Sequence, residues 1–245
     1  MINVLICGIC GKMGATVLEL INSESGIKAV CGVDIFEAEN FKIPVYKTFE
    51  KVKERVDVII DFSSPTVLFD ELDWAVKNEI PVVLGTTGFN EKQLKFIDGC
   101  AKEIAIFKTA NFSYGLNLLM KLVRKSAEVL GDKFDIEIVE KHHRLKSDAP
   151  SGTALMLADS VNIENRPLLF GREKDAGKRK GEIALHSVRG GTVVGEHEVM
   201  FFGEDEIITL SHSARSKKVF ASGAIKAALF LAEAPAGKYG MEDML

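Results

Sequence analysis

The chain has 245 residues, 47% hydrophobic and 27% charged, with 35 acidic and 31 basic side chains for a formal net charge of −4. That balance gives no overall pull toward nucleic acid or an anionic membrane, so an anionic ligand has to be met by a local positive site. No apolar run reaches the length of a membrane span and the chain opens directly on a strand-like segment, which points to a cytoplasmic protein of one large or two modest domains.

Strand-like runs come first: INVLICG, IKAVCGVD, VDVIIDFS, IPVVLGTTG and IAIFKTAN. Between them GATVLELINSE, TVLFDELDWAVKNE and NEKQLKFIDGCAKE have helical spacing. Short apolar runs alternating with helices predict βαβ units and a parallel sheet buried on both faces. After Asn111 the pattern changes. Residues 115–130 predict a long amphipathic helix, FDIEIVEKHH a strand, and TALMLADSV a further helix. The charged, glycine-rich residues 171–181 read as a mobile loop. Three strands in succession, EIALHSVRGG, TVVGEHEVMFFG and DEIITLSHS, predict an antiparallel meander, and GAIKAALFLAEA a last helix. The expected fold is α/β: a Rossmann-type doubly wound parallel sheet with a second α+β domain containing a mixed or antiparallel sheet. Residues 1–112 form the dinucleotide-binding domain and 113–222 a substrate-binding and oligomerisation domain. The helix and tail of 223–245 return to the first domain, with hinges expected near 111–115 and 222–223.

Gly8-Ile9-Cys10-Gly11-Lys12-Met13-Gly14 follows the first strand and opens a helix. Glycines there allow a tight turn and let backbone N–H groups approach a pyrophosphate. Twenty residues on, Asp34 ends the second strand, where a carboxylate meets ribose hydroxyls and repels a 2′-phosphate. Ile35 and Phe36 provide no arginine to offset that charge, which favours NADH, while Lys12 leaves NADPH usable. Cys7 and Cys10 form a CxxC, but no second CxxC or Cys/His pair lies close by in sequence to complete a metal site, and none is expected. Gly85-Thr86-Thr87 and Thr109-Ala110-Asn111-Phe112 sit at carboxyl ends of strands, where ligands of open α/β sheets bind; plain turn chemistry is the alternative.

The densest stretch is EKHHRLKSDAPSGTA, residues 140–154. Ser151 or Thr153 can cap the following helix, whose first N–H groups with Lys146 suit a carboxylate. His142 and His143 point to opposite faces of a strand, which rules out their sharing a zinc ion, and imidazole exchanges protons near neutral pH.

On these residues, with GICGKMG, GTTGF, NFSYGLN, HSVRGGTVVGEHEV and YGMEDML, the chain resembles the 4-hydroxy-tetrahydrodipicolinate reductase family of bacterial lysine and diaminopimelate synthesis over essentially its whole length. The resemblance implies hydride transfer from NAD(P)H to a cyclic imine dicarboxylate, with His142 as proton donor or acceptor and Lys146 as proton donor. It implies substrate contacts at His143, Gly152 and Thr153. It implies nucleotide contacts at Gly8, Ile9, Cys10, Gly11, Lys12, Met13, Asp34, Gly85, Thr86, Thr87 and Thr109 to Phe112. A homotetramer built through the second domain's sheet is also implied, with no nucleic acid or membrane partner. Two other readings share the nucleotide half: an aspartate- or homoserine-type dehydrogenase, and a non-catalytic NADH sensor. Neither calls for HHRLKSDAPSGT.

Overall fold

The computed structural model describes residues 1–36, 41–174 and 177–245. Its first elements are β1 (Ile2–Cys7), α1 (Lys12–Ile21), β2 (Ile27–Val33), β3 (Val45–Tyr46), β4 (Val58–Asp61), α2 (Leu68–Lys77), β5 (Val82–Leu84), α3 (Glu91–Cys100) and β6 (Ala105–Lys108). There follow α4 (Tyr114–Leu130), β7 (Asp135–His142), α5 (Gly152–Val161), β8 (Leu168–Phe170), β9 (Ile183–Arg189), β10 (Gly195–Phe202), β11 (Ile207–Ala214), α6 (Lys218–Leu231) and β12 (Gly237–Tyr239). Contacts divide the chain into one unit of Met1–Tyr114 with Lys217–Leu245 and a second of Gly115–Ser216. Among the described residues no helix is long and apolar enough to cross a membrane.

The first unit is a seven-stranded sheet in the order β12-β6-β5-β4-β1-β2-β3, parallel throughout. Its strands are apolar at consecutive positions because both faces are covered. Val4 and Ile6 of β1 pack with Val17 of α1 and Ala224, Ile225 and Ala228 of α6. Leu5 and Cys7 face the other way, toward Leu72 of α2 and Ile97 of α3. The small residues of α6 let it lie close to the sheet and to Phe112: a Cβ added at Gly223 would fall 1.9 Å from the Phe112 carbonyl oxygen. Ser222 and Gly223 therefore sit in the interior of a packed helix, not at a hinge. β12 joins the edge of the sheet beside β6, a strand the sequence pattern did not mark.

The second unit has five strands in the order β11-β10-β7-β9-β8. The expected meander is corrected here. β10 and β11 form an antiparallel pair, but β9 runs parallel to β7, and β7 lies between β9 and β10. The five residues from 190 to 194 easily reach across one intervening strand, about 10 Å. They bridge the end of β7 with backbone bonds, Gly190 N–H to the His142 carbonyl and Arg144 N–H to the Gly191 carbonyl. Succession in sequence did not mean adjacency in the sheet.

One face of this sheet, with Ile136, Ile138, Leu185, Val199 and Phe201, packs on Leu119 and Val123 of α4 and Leu157 and Val161 of α5. The opposite face is charged, and it holds the ends of the loop expected to be mobile. Arg172 meets Glu182 at 2.5 Å, while Arg179 pairs with Glu137 and donates to the Glu182 carbonyl. Positions 175 and 176 of that loop lie outside the described residues.

Candidate active site

In the first unit, the turn from β1 to α1 has the form that its glycines require. Gly8 has φ +75°, a conformation costly for a residue with Cβ, and a Cβ at Gly14 would lie 2.2 Å from the Gly8 carbonyl oxygen. α1 starts at Lys12 with no side-chain cap and no acid in its first turn. Its leading N–H groups are thus left for an anion. Asp34 is buried, and its two carboxylate oxygens accept from Cys10 N–H at 2.9 Å and Phe36 N–H at 3.0 Å, pinning the glycine turn to the end of β2.

A cleft of about 380 Å³ opens here, lined by Gly8, Cys10, Gly11 and Asp34 from the sequence-predicted set. Sequence reasoning missed its remaining polar wall: Lys47, Thr48 and Glu50 after β3, Ser63, Ser64 and Thr66 after β4, and Asp70 in the first turn of α2. The other predicted nucleotide residues do not line it. Ile9 is fully buried, its side chain under Gly32, so only its main chain is available to a ligand. Lys12 is exposed and Met13 packs against the core. At the end of β5, Gly85 faces the Phe62 ring and Thr86 Oγ1 accepts from Ser63 N–H at 2.9 Å, while Thr87 is exposed. After β6, Thr109 Oγ1 and Asn111 close a turn, Ala110 is exposed, and Phe112 is buried against Phe62 and Phe107. An uncapped helix start, an open glycine turn and an acid at the end of β2 form a cradle that fits a dinucleotide.

In the second unit, EKHHRLKSDAPSGTA brings together more than its histidines. Glu140 and His142 stand two apart on β7 and so share the helix-covered face. Glu140 Oε2 is 2.5 Å from His142 Nδ1. Arg189 of β9 grips both carboxylate oxygens at 2.8 Å, and Ser151 N–H donates to Oε1 at 3.1 Å. Burial by itself would push the Glu140 carboxyl up; the donors, led by Arg189, outweigh it and hold it down to about 2.

His197 of β10 stands opposite Glu140 in register, its ring 5.2 Å from that of His142 and its Nε2 3.3 Å from Ser151 Oγ. Burial first, then the neighbouring His142, push His197 down to about 4, so it is a neutral wall at physiological pH. On the same strand as His197, a Cβ added at Gly195 would sit 3.1 Å from His142 Nε2 and 3.8 Å from His197 Cε1. The glycine keeps that nitrogen unobstructed.

Ser151 caps α5, accepting from Ala154 N–H at 3.2 Å. Gly152 is exposed with open space around its Cα, and Thr153 is half-buried. Lys146 is mostly buried and pairs with Asp148 at 2.8 Å, and this contact lowers the Asp148 carboxyl. His143 lies just past the end of β7, half-buried. Sequence reasoning missed Glu140, Arg189 and His197. The E-x-H alternation within a strand could have flagged Glu140.

The fold and the glycine turn define a protein of the dinucleotide-binding class, with a Rossmann-type unit and an α+β unit. The family profiles "Dihydrodipicolinate reductase, N-terminus" and "Dihydrodipicolinate reductase, C-terminus" match residues 2–112 and 115–245. A 4-hydroxy-tetrahydrodipicolinate reductase of Caldanaerobacter subterraneus subsp. tengcongensis is 48% identical, covering 100% of this chain and 98% of that protein. One from Clostridium perfringens (strain SM101) is 42% identical at the same coverage. The solved structure of dipicolinate-bound dihydrodipicolinate reductase from Paenisporosarcina sp. TG-14 superposes with a TM-score of 0.82 at 28% identity, over 100% of both chains. The chain belongs to the dihydrodipicolinate reductase family, whose members are NAD(P)H-dependent reductases.

Proposed function

We propose that this chain reduces 4-hydroxy-tetrahydrodipicolinate to tetrahydrodipicolinate in lysine and diaminopimelate biosynthesis, with His142 and Lys146 handling protons and charge. The observation that carries the assignment is the buried Glu140–Arg189 pair set against His142 at the start of α5. Glu140 engages Nδ1 and so leaves Nε2, beside Gly195, as the atom that meets substrate. Arg189 keeps the buried Glu140 charge balanced.

The α5 N-terminus at Ser151, Gly152 and Thr153 suits a substrate carboxylate, and the empty volume over Gly152 gives it room. Lys146 adds a cation. Its partner Asp148 is half in solvent, so a substrate anion can compete for the ammonium group. His143 supplies a further donor. When bound, a reduced nicotinamide supplies the hydride to a ring carbon conjugated with the imine after loss of water. The ring nitrogen then needs a proton, which Lys146 or His142 can provide.

In the first unit, Gly8, Cys10, Gly11 and Asp34 would hold the dinucleotide. NADH is the preferred form: Asp34 sets a fixed negative charge where a 2′-phosphate would lie, and neither Ile35 nor Phe36 offsets it. Lys47 and Lys12 leave NADPH usable. We propose a cytoplasmic homotetramer joined through the five-stranded sheet, where Val188 and Ile207 are 48% and 61% exposed.

The deciding assay generates substrate in situ from pyruvate and aspartate semialdehyde with its synthase and follows NADH and NADPH oxidation in parallel. Substrate-dependent oxidation is expected with both, faster with NADH. Oxidation that does not depend on the synthase would refute the assignment.

A further inference from the structure

Three side chains that the reductase chemistry leaves unused meet beneath the nucleotide cleft. Cys7 ends β1, Asp61 ends β4 and Glu71 lies on α2; their thiol and carboxylate ligand atoms all lie within 4.8 Å of one another. The three residues are 2%, 1% and 0% exposed. On the same helix Asp70 and Asp73 point to solvent, whereas Glu71 shares the inward face with Leu68, Leu72 and Ala75.

Asp61 is partly satisfied: Oδ1 accepts from the Ser63 amide at 2.8 Å and the Ser63 hydroxyl at 2.5 Å. Glu71 is not. Among the described residues neither of its oxygens has a hydrogen-bond partner. A carboxylate in an apolar interior is strongly unfavourable unless a counter-charge or a proton is placed on it.

We propose that Cys7, Asp61 and Glu71 bind one divalent transition-metal ion, Zn²⁺ fitting best, which ties β1, β4 and α2 together under the cleft. The donor set selects the class of ion. A thiolate disfavours Mg²⁺ and Ca²⁺, and one sulfur with two carboxylate oxygens suits a borderline-soft ion. Donors about 2.0–2.3 Å from a tetrahedral ion are about 3.3–3.8 Å apart, inside the 4.8 Å span of this group. Three anionic donors against a double positive charge leave one net negative charge in place of three. A proton shared by Asp61 and Glu71, with the Cys7 thiol hydrogen-bonded to Asp61, is the competing state. Cys7 and Ser63 also line the cleft, which provides an entry path.

The test uses untagged full-length protein, reduced, stripped with a chelator, and titrated with Co²⁺ alone and then with Zn²⁺. One equivalent of Co²⁺ is expected to bind with a thiolate-to-cobalt charge-transfer band in the near ultraviolet. One equivalent of Zn²⁺ should remove the band and raise the melting temperature. Cys7→Ser should abolish the band, Glu71→Gln should weaken Co²⁺ binding at least tenfold, and Cys10→Ser should retain the band. Failure of the wild-type protein to bind stoichiometrically overturns the site without recourse to any variant. A band that survives Cys7→Ser places the ion elsewhere and overturns it too. A Glu71→Gln protein that melts above wild type, with neither protein responding to metal, identifies a shared proton and refutes the ion.

Discussion

Glu140→Gln keeps the shape of the side chain and removes the charge on which the second-unit site is organised. In the native protein the carboxyl falls from an ordinary 4.5 to about 2. At 1.36 kcal/mol per unit, this difference is about 3 kcal/mol of stability. Because the folded value is the lower one, the contribution is fully present above about pH 5 and fades as the pH falls toward 2. The variant should therefore unfold at lower urea than wild type at pH 7, and the gap between the two should narrow through that acid window. Activity should fall as well. A charged hydrogen bond contributes about 1.5–3 kcal/mol, so losing the one from Glu140 to His142 corresponds to a roughly 10- to 150-fold lower kcat/KM. The assays are urea titrations at several pH values and the coupled reductase reaction. Equal urea midpoints at pH 7, or kcat/KM within twofold of wild type, would refute the role given to Glu140.

Lys146→Ala should lower kcat/KM by about 10- to 150-fold, with weaker binding of pyridine-2,6-dicarboxylate in calorimetry, since it removes a charged partner of roughly 1.5–3 kcal/mol; unchanged turnover and affinity would clear Lys146 of any role. Asp34→Ala combined with Ile35→Arg should shift the NADH/NADPH ratio of kcat/KM toward NADPH, and a constant ratio would leave Asp34 only its hydrogen bonds to Cys10 and Phe36. Gly195→Ala places a methyl 3.1 Å from His142 Nε2 and should depress kcat while leaving NADH binding, read by fluorescence titration, near wild type. Gly223→Ala would gain about 1 kcal/mol in helix propensity, yet its methyl collides with the Phe112 carbonyl, an overpacking cost of about 1–3 kcal/mol or more. Its melting temperature should fall, and a rise would mean that α6 shifts freely.

The parallel sheet was legible because strands such as VDVIIDFS are apolar at successive positions, and only burial on both faces makes that tolerable. The glycine turn, Asp34 and the α5 cap were legible because each is a local device. The rest depends on register. Arg189 reaches Glu140 from 49 residues away because β9 lies parallel to β7, and His197 arrives through the antiparallel pairing of β10. No local pattern encodes either pairing, and the meander reading placed β9 beside β10. The short strands β3, β8 and β12, of two or three residues, are below the length at which periodicity shows. The cleft wall at Lys47 and Thr48 follows one of them. Cys7 illustrates the same limit: its sequence neighbours offered no metal partners, whereas Asp61 and Glu71 reach it through the fold.

The first unit draws on both ends of the chain, and this orders its birth on the ribosome. The second unit, Gly115–Ser216, is one uninterrupted stretch and can close as soon as it emerges. The Rossmann-type sheet cannot. Val4, Ile6, Ile60, Val83 and Phe107 make one greasy surface whose cover includes α6, which begins 111 residues after Phe107. At synthesis rates of about 5–20 residues per second, that surface waits roughly 6–22 s for its lid. A nascent chain in that interval should bind holdase chaperones, and truncation before Lys218 leaves a product that should aggregate rather than fold.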